Sequence, residues 1–127
     1  MIIRLPFPAK ELMPNRKNGS HWTTTKKVKD QQRLAGRICA LASGEFKDKG
    51  GNIPLSLLYL TPDRRKRDLD NLLAASKAML DGVAEALGVD DSRFRPIVID
   101  AIHGPDEGCL IAAVGVEMVG YAKAGVK

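Results

Sequence analysis

Residues 69–87 read LDNLLAASKAMLDGVAEAL, and no other stretch constrains the fold as strongly. Leu69, Leu72, Leu73, Ser76, Met79, Leu80, Val83 and Leu87 fall on one stripe of a helix. The interior holds no proline, and Gly88 follows as a C-cap. At about 100° per residue, Asp70, Ala74, Lys77 and Asp81 form a second stripe, well away from the first. An amphipathic helix must bury its apolar stripe, and the runs around it are strand-like. Ile53–Leu60 is apolar on both faces from Leu57 onward, as a central strand is. Ile2–Phe7 is a short run ended by Pro6 and Pro8, which predicts an edge strand.

Two further runs, 95–103 and 109–118, flank the turn Gly104–Gly108 and are expected to pair as an antiparallel hairpin. Thr23–Thr25 offers an N-cap for another helix over about 25–42. Its apolar stripe is expected at Val28, Ala35, Ile38 and Ala42, widened by Leu34 and Leu41, with Lys26, Lys29, Arg33 and Arg37 opposite. The element order predicts an α+β (mixed α/β) fold, with two helices packed on a small mixed sheet. At 127 residues the chain suits a single domain spanning 1–127 whose core needs no disulfide. Residues 120–127 are expected to be a flexible tail.

Composition narrows the class. Hydrophobic residues make up 44% and charged ones 28%, with no apolar run near the roughly 20 residues of a membrane span. The N-terminal apolar run is too short for a secretory signal. Cys39 and Cys109 lack metal-ligand spacing and are expected to be reduced and buried, in a cytoplasmic protein. The net charge of +5 suits solubility alone or a nucleic-acid partner. Its distribution says more. Arg64, Arg65, Lys66 and Arg67 run directly into Asp68 and Asp70, and further cations crowd residues 10–37. The loop with Asn15, Arg16, Lys17, His21 and Trp22 joins cations to an aromatic that would stack on a base or anchor the loop. Asn15, Arg16, Lys17, Lys26, Lys27 and the 64–67 run are the candidate DNA contacts.

Phosphodiester hydrolysis needs an activated water and relief of charge, which carboxylate-held divalent metals supply. Asp68 and Asp70 stand at a strand–helix junction, and Asp91 follows the helix; the three are the candidate metal ligands. Lys77 would act on transition-state charge. Each residue also has a structural reading. Asp68 or Asp70 alone is more simply a helix cap, Asp90-Asp91 a solvated turn, and Lys77–Asp81 an i,i+4 pair. There is no P-loop, dinucleotide fingerprint or zinc spacing, so no small-molecule cofactor is expected.

The run RRKRDLDN, the KxxxD of Lys77 to Asp81 and the DD at 90–91 together resemble the RusA family of Holliday junction resolvases. The opening strand ending in prolines, the Asn-Arg loop and the His before a basic helix are similar too. The resemblance implies a homodimeric, Mg2+-dependent endonuclease, with Mn2+ as a substitute, that cuts four-way DNA junctions in recombination and repair. It implies that Asp68, Asp70 and Asp91 are the essential acids and Lys77 the essential lysine. The family lysine lies four residues after the second Asp; here position 74 is Ala and the lysine is Lys77, one turn further along the same face. The alternatives are a non-catalytic basic nucleic-acid-binding protein and a metal-dependent nuclease acting on flap or duplex DNA.

Overall fold

The computed structural model describes residues 1–14, 22–104 and 107–116, without the side chains of residues 22–24. The elements run β1 (Ile2–Pro6), α1 (Trp22–Ala42), β2 (Ile53–Thr61), α2 (Leu69–Leu87), β3 (Phe94–His103) and β4 (Cys109–Val114). Short 3-10 turns occupy Lys10–Leu12 and Asp91–Arg93. The strands form one four-stranded mixed sheet in the order β1-β4-β2-β3. This is a single small α+β domain with both helices on one side of the sheet. Ile3, Leu5, Leu55, Leu57, Tyr59, Leu110, Ala112 and Val114 face the helices and meet Leu72, Met79 and Val83 of α2 and Ala40 of α1.

The edge placement of β1 and the interior placement of β2 agree with the sequence reading. The expected hairpin does not form. β3 lies parallel to β2, joined through α2, and β4 lies antiparallel between β1 and β2. The connection from β3 to β4 therefore crosses the end of β2. It does so at close quarters, which explains its glycines. A Cβ on Gly104 would sit 2.7 Å from Leu60 Cβ, and one on Gly108 would sit 2.7 Å from the Leu60 carbonyl oxygen. The Gly104 amide donates to the Thr61 carbonyl at 3.0 Å, pinning the crossing.

The bounds of α2 match the expected helix, and Gly88 caps it in the left-handed conformation. The stripe expected for α1 holds only in part: Val28 and Ala35 are half-buried, and the rest is not. Leu34, Ile38 and Leu41 are each more than half exposed, and Ala42 is exposed. The buried face instead carries Gly36 and Ala40. A Cβ on Gly36 would collide with the Met79 carbonyl oxygen of α2, and one on Gly82 with the Arg33 carbonyl oxygen of α1. The two backbones thus cross through paired glycines, a contact for which small residues, not large ones, are required. The ion pair of Arg33 with Glu85 closes the same crossing from outside.

Inside the core, Ser76 Oγ donates to the Leu72 carbonyl at 2.8 Å and lies 2.9 Å from Tyr59 Oη. The single hydroxyl proton of Ser76 goes to Leu72, so Tyr59 donates to Ser76. Burial pushes the Tyr59 phenol up to about 12. Cys39 and Cys109 are free thiols, the second buried and the first half-buried. Among the described residues no helix is long and apolar enough to cross a membrane. The expected tail at 120–127 lies outside the described residues.

Candidate active site

Two concavities flank the N-terminal half of α2. The first is a groove of about 760 Å3 whose lining includes Phe7, Lys10, Arg65, Lys66, Arg67 and Asp68. The loop after β2 builds its floor. Asp63 folds it, accepting from the Arg65 amide at 2.9 Å and from Arg67 Nη1 and Nη2 at 2.9 and 3.2 Å. The Arg67 guanidinium, then the Arg65 amide and side chain, hold the Asp63 carboxyl far below the ordinary carboxylate range. The Arg67 guanidinium also lies 5.5 Å from the centroid of the Phe7 ring, which meets Tyr59 edge-on. Arg67 is therefore committed to the fold, with its side chain only 16% exposed. Arg64 and Lys66 are exposed and make no ion pair among the described residues.

The second concavity is a cleft of about 360 Å3 between α2 and the start of β3. Leu55, Leu73, Leu80, Phe94 and Ile97 supply apolar walls, and Asp70, Lys77, Asp81 and Asp91 supply the polar ones. Lys77 Nζ donates to Asp91 Oδ2 at 3.1 Å and lies 3.5 Å from Asp81 Oδ1. The hydrogen bond to Asp91 raises the Lys77 pKa, and it holds Asp91 below the ordinary carboxylate range. Asp81 shifts the other way: burial pushes it up, Lys77 opposes this, and a hydrogen bond shared with Asp91 adds to it. The cleft thus holds one ammonium between two carboxylates of unequal basicity.

Of the residues expected at the site, Asp70, Lys77 and Asp91 share this cleft, and Asp68 does not. Asp68 is the N-cap residue of α2, though its side chain makes no capping hydrogen bond and instead accepts from Asn71 Nδ2 at 3.4 Å. Residues two apart on a helix point about 200° away from each other, which sends Asp68 and Asp70 to opposite sides of α2. The expected triad of Asp68, Asp70 and Asp91 is accordingly not gathered. Among the described residues no three His, Cys, Asp or Glu side chains are grouped closely enough to hold a metal ion. The donor chemistry of Asp70 and Asp91 nevertheless suits a hard cation, since Mg2+ is commonly held by one or two carboxylates together with waters and substrate phosphates.

Asp90 does not enter the cleft cluster; its Oδ1 caps the following turn, accepting from the Ser92 amide at 2.9 Å. Asp81 is the residue that sequence reasoning left out of the site. Its spacing from Lys77 reads as a surface pair, and only the return of the chain at Asp91 gives it a second neighbour. Lys10 was likewise missed, because the groove it lines joins segments distant in sequence. Lys26 and Lys27 are exposed on α1, Lys26 paired to Asp30 at 3.1 Å, and neither lines the groove or the cleft. Asn15, Arg16, Lys17 and His21 lie outside the described residues, as does the side chain of Trp22.

No family model matches this sequence. The chain is 36% identical over 106 residues to an uncharacterized protein of Xylella fastidiosa (strain Temecula1 / ATCC 700964). The match covers 80% of this chain and 68% of that protein. With that identity over most of both chains, this chain belongs to the same family as the Xylella protein.

Proposed function

We propose that this protein is a Mg2+-dependent endonuclease that cuts four-way DNA junctions, acting as a pair of copies in the cytoplasm. The observation that carries the reading is the Lys77 ammonium held between Asp81 and Asp91 in the cleft that Asp70 also lines. The resemblance of 62–91 to the RusA family supports it. Asp70 and Asp91 would hold the cation, which when bound supplies charge to the phosphate and an activated water. Lys77 presents a charged ammonium beside the reacting phosphate. Asp81, 3.5 Å from Lys77 Nζ, helps keep that ammonium in the cleft. The groove beyond the α2 N-terminus, with Lys10, Arg65 and Lys66, gives the DNA backbone a place to lie. Junction resolution requires two symmetric cuts, and two copies related by a twofold axis meet that requirement.

A second reading, a non-catalytic nucleic-acid-binding protein, is favoured by the division of the acids between two concavities. One experiment separates the readings: binding and cleavage of junction, flap and duplex DNA, each with and without Mg2+. The proposal expects tight junction binding that weakens steeply with salt, and cleavage of the junction only with the metal. Binding without cleavage would favour the second reading. Cleavage of flap or duplex in preference to the junction would identify a nuclease of different specificity.

A further inference from the structure

We propose that Lys77 and a divalent cation compete for Asp91, and that Asp81 is the acceptor that takes the lysine when the cation holds Asp91. This rests on the reading of Asp70 and Asp91 as cation ligands and adds Asp81 to it as a positioning residue. Lys77 Nζ donates to Asp91 Oδ2 at 3.1 Å. An ammonium and a divalent cation on one carboxylate repel each other at close range, so Asp91 serves one or the other well, not both. Asp81 Oδ1 lies 3.5 Å from the same Nζ. A charge-assisted hydrogen bond of this kind runs to roughly 2.7–2.9 Å. Asp81 is therefore an acceptor within reach of Lys77 that the lysine does not fully engage.

The placement of the three residues suits an exchange. Lys77 and Asp81 stand one turn apart on α2, so the helix keeps them neighbours whatever happens at Asp91. Asp91 reaches the cleft from outside the helix, on the 3-10 turn that follows it. The Lys77 side chain is 70% exposed, and among the described residues these two carboxylates are its only ion-pair partners. The charges fit as well. Asp70, Asp81 and Asp91 bring three negative charges to the cleft and Lys77 one positive charge. The two negative charges left over match one divalent cation. Without Asp81 the same cation would leave Lys77 with no counterion, so Asp81 lets ammonium and cation share the cleft. Held by Asp81 alone, Lys77 has its Asp91 hydrogen bond released and its ammonium free to turn to a phosphate oxygen. Placement of the lysine and binding of the cation then become one linked event.

The simpler alternative is an exposed i,i+4 pair, in which Asp81 acts on a nearby cation through its charge alone. The two accounts differ in coupling. Mn2+ affinity of the whole chain, read by calorimetry and by loss of the free-ion paramagnetic resonance signal, needs neither DNA nor cleavage. Lys77→Gln removes the competitor and should bind Mn2+ about tenfold more tightly than the wild type. Asp81→Asn leaves Lys77 only Asp91 and should bind it about tenfold more weakly. In the Lys77→Gln background, Asp81→Asn should change the affinity less than about twofold, because no lysine remains to be received. Circular dichroism checks the fold of each variant. An equal effect of Asp81→Asn with and without Lys77, or an unchanged affinity in Lys77→Gln, would overturn the proposal while leaving Asp70 and Asp91 as ligands. A wild type that binds no Mn2+ would overturn both.

Discussion

The groove and the cleft on either side of α2 differ in what their charges are doing. On the groove side, Asp63 organises two of four consecutive arginine and lysine side chains, Asp68 lines the groove itself, and exposed cations remain around them. In the cleft, one ammonium is divided between two carboxylates, with Asp70 on the same wall. Under the proposed reading the first surface would take a polyanion as a whole; the second places a few charges over a small volume. A sequence in which RRKR runs straight into DLD gives no hint that these are separate surfaces. The separation comes from helix geometry, which turns Asp68 and Asp70 apart at the first turn of α2. On the proposed reading, affinity and chemistry would fall to opposite sides of one helix.

Apart from the loss of Asp70 or Asp91, the variant expected to break this division most strongly is Lys77→Ala. Single-turnover cleavage should slow by about ten- to a hundredfold while junction affinity holds. A loss of affinity instead would make Lys77 a DNA contact and blur the two surfaces. On the other side, Lys10→Ala combined with Lys66→Ala should weaken binding of every DNA roughly equally. It should also reduce the slope of log affinity against log salt by about two. An unchanged slope would remove the groove from the DNA path.

Arg67→Ala sharpens the contrast within the groove, because Arg67 holds the loop and stacks on Phe7. It should lower the melting temperature by a few degrees at neutral pH. The pH dependence has a definite sign. Asp63 has a depressed pKa when folded, so its contribution is present above its ordinary value of 3.8 and fades as pH falls below it. The penalty of Arg67→Ala should shrink in that acid range; a penalty independent of pH would assign it to the Phe7 contact alone. The smallest effect belongs to Asp81→Asn. The folded pKa of Asp81 is raised above 3.8, so ionised Asp81 is a liability at neutral pH. Because the group is partly exposed, the change should be at most a slight rise in melting temperature. A clear drop would mean that the Lys77 contact outweighs the burial.

Much of the fold is legible in the sequence where one rule governs. The apolar stripe and Gly88 specify α2, and the doubly apolar run specifies β2 as interior. The stripe of α1 is not legible, because Gly36 and Gly82 let the helices touch backbone to backbone, and hydrophobic periodicity gives glycine no weight. Strand order is not legible either. Two adjacent strands with a glycine turn look like a hairpin, and only the close passage of Gly104 and Gly108 over Leu60 shows that β2 lies between β3 and β4. In the site, the meeting of Lys77 with Asp91 follows from a chain that turns back after Gly88. The placement of Asp68 does not, since proximity in sequence says nothing about which side of a helix each carboxylate faces.

The central claim is that the cleft, through Asp70 and Asp91, performs Mg2+-dependent cleavage of a DNA junction. Single-turnover cleavage of a four-way junction by saturating wild type, Asp70→Asn and Asp91→Asn, each checked for fold, tests it most directly. The account predicts junction cleavage by the wild type only with Mg2+, and a rate at least about a hundredfold lower in each variant with binding intact or tighter. Near-normal cleavage by both variants, or none by the wild type with the metal present, would contradict it.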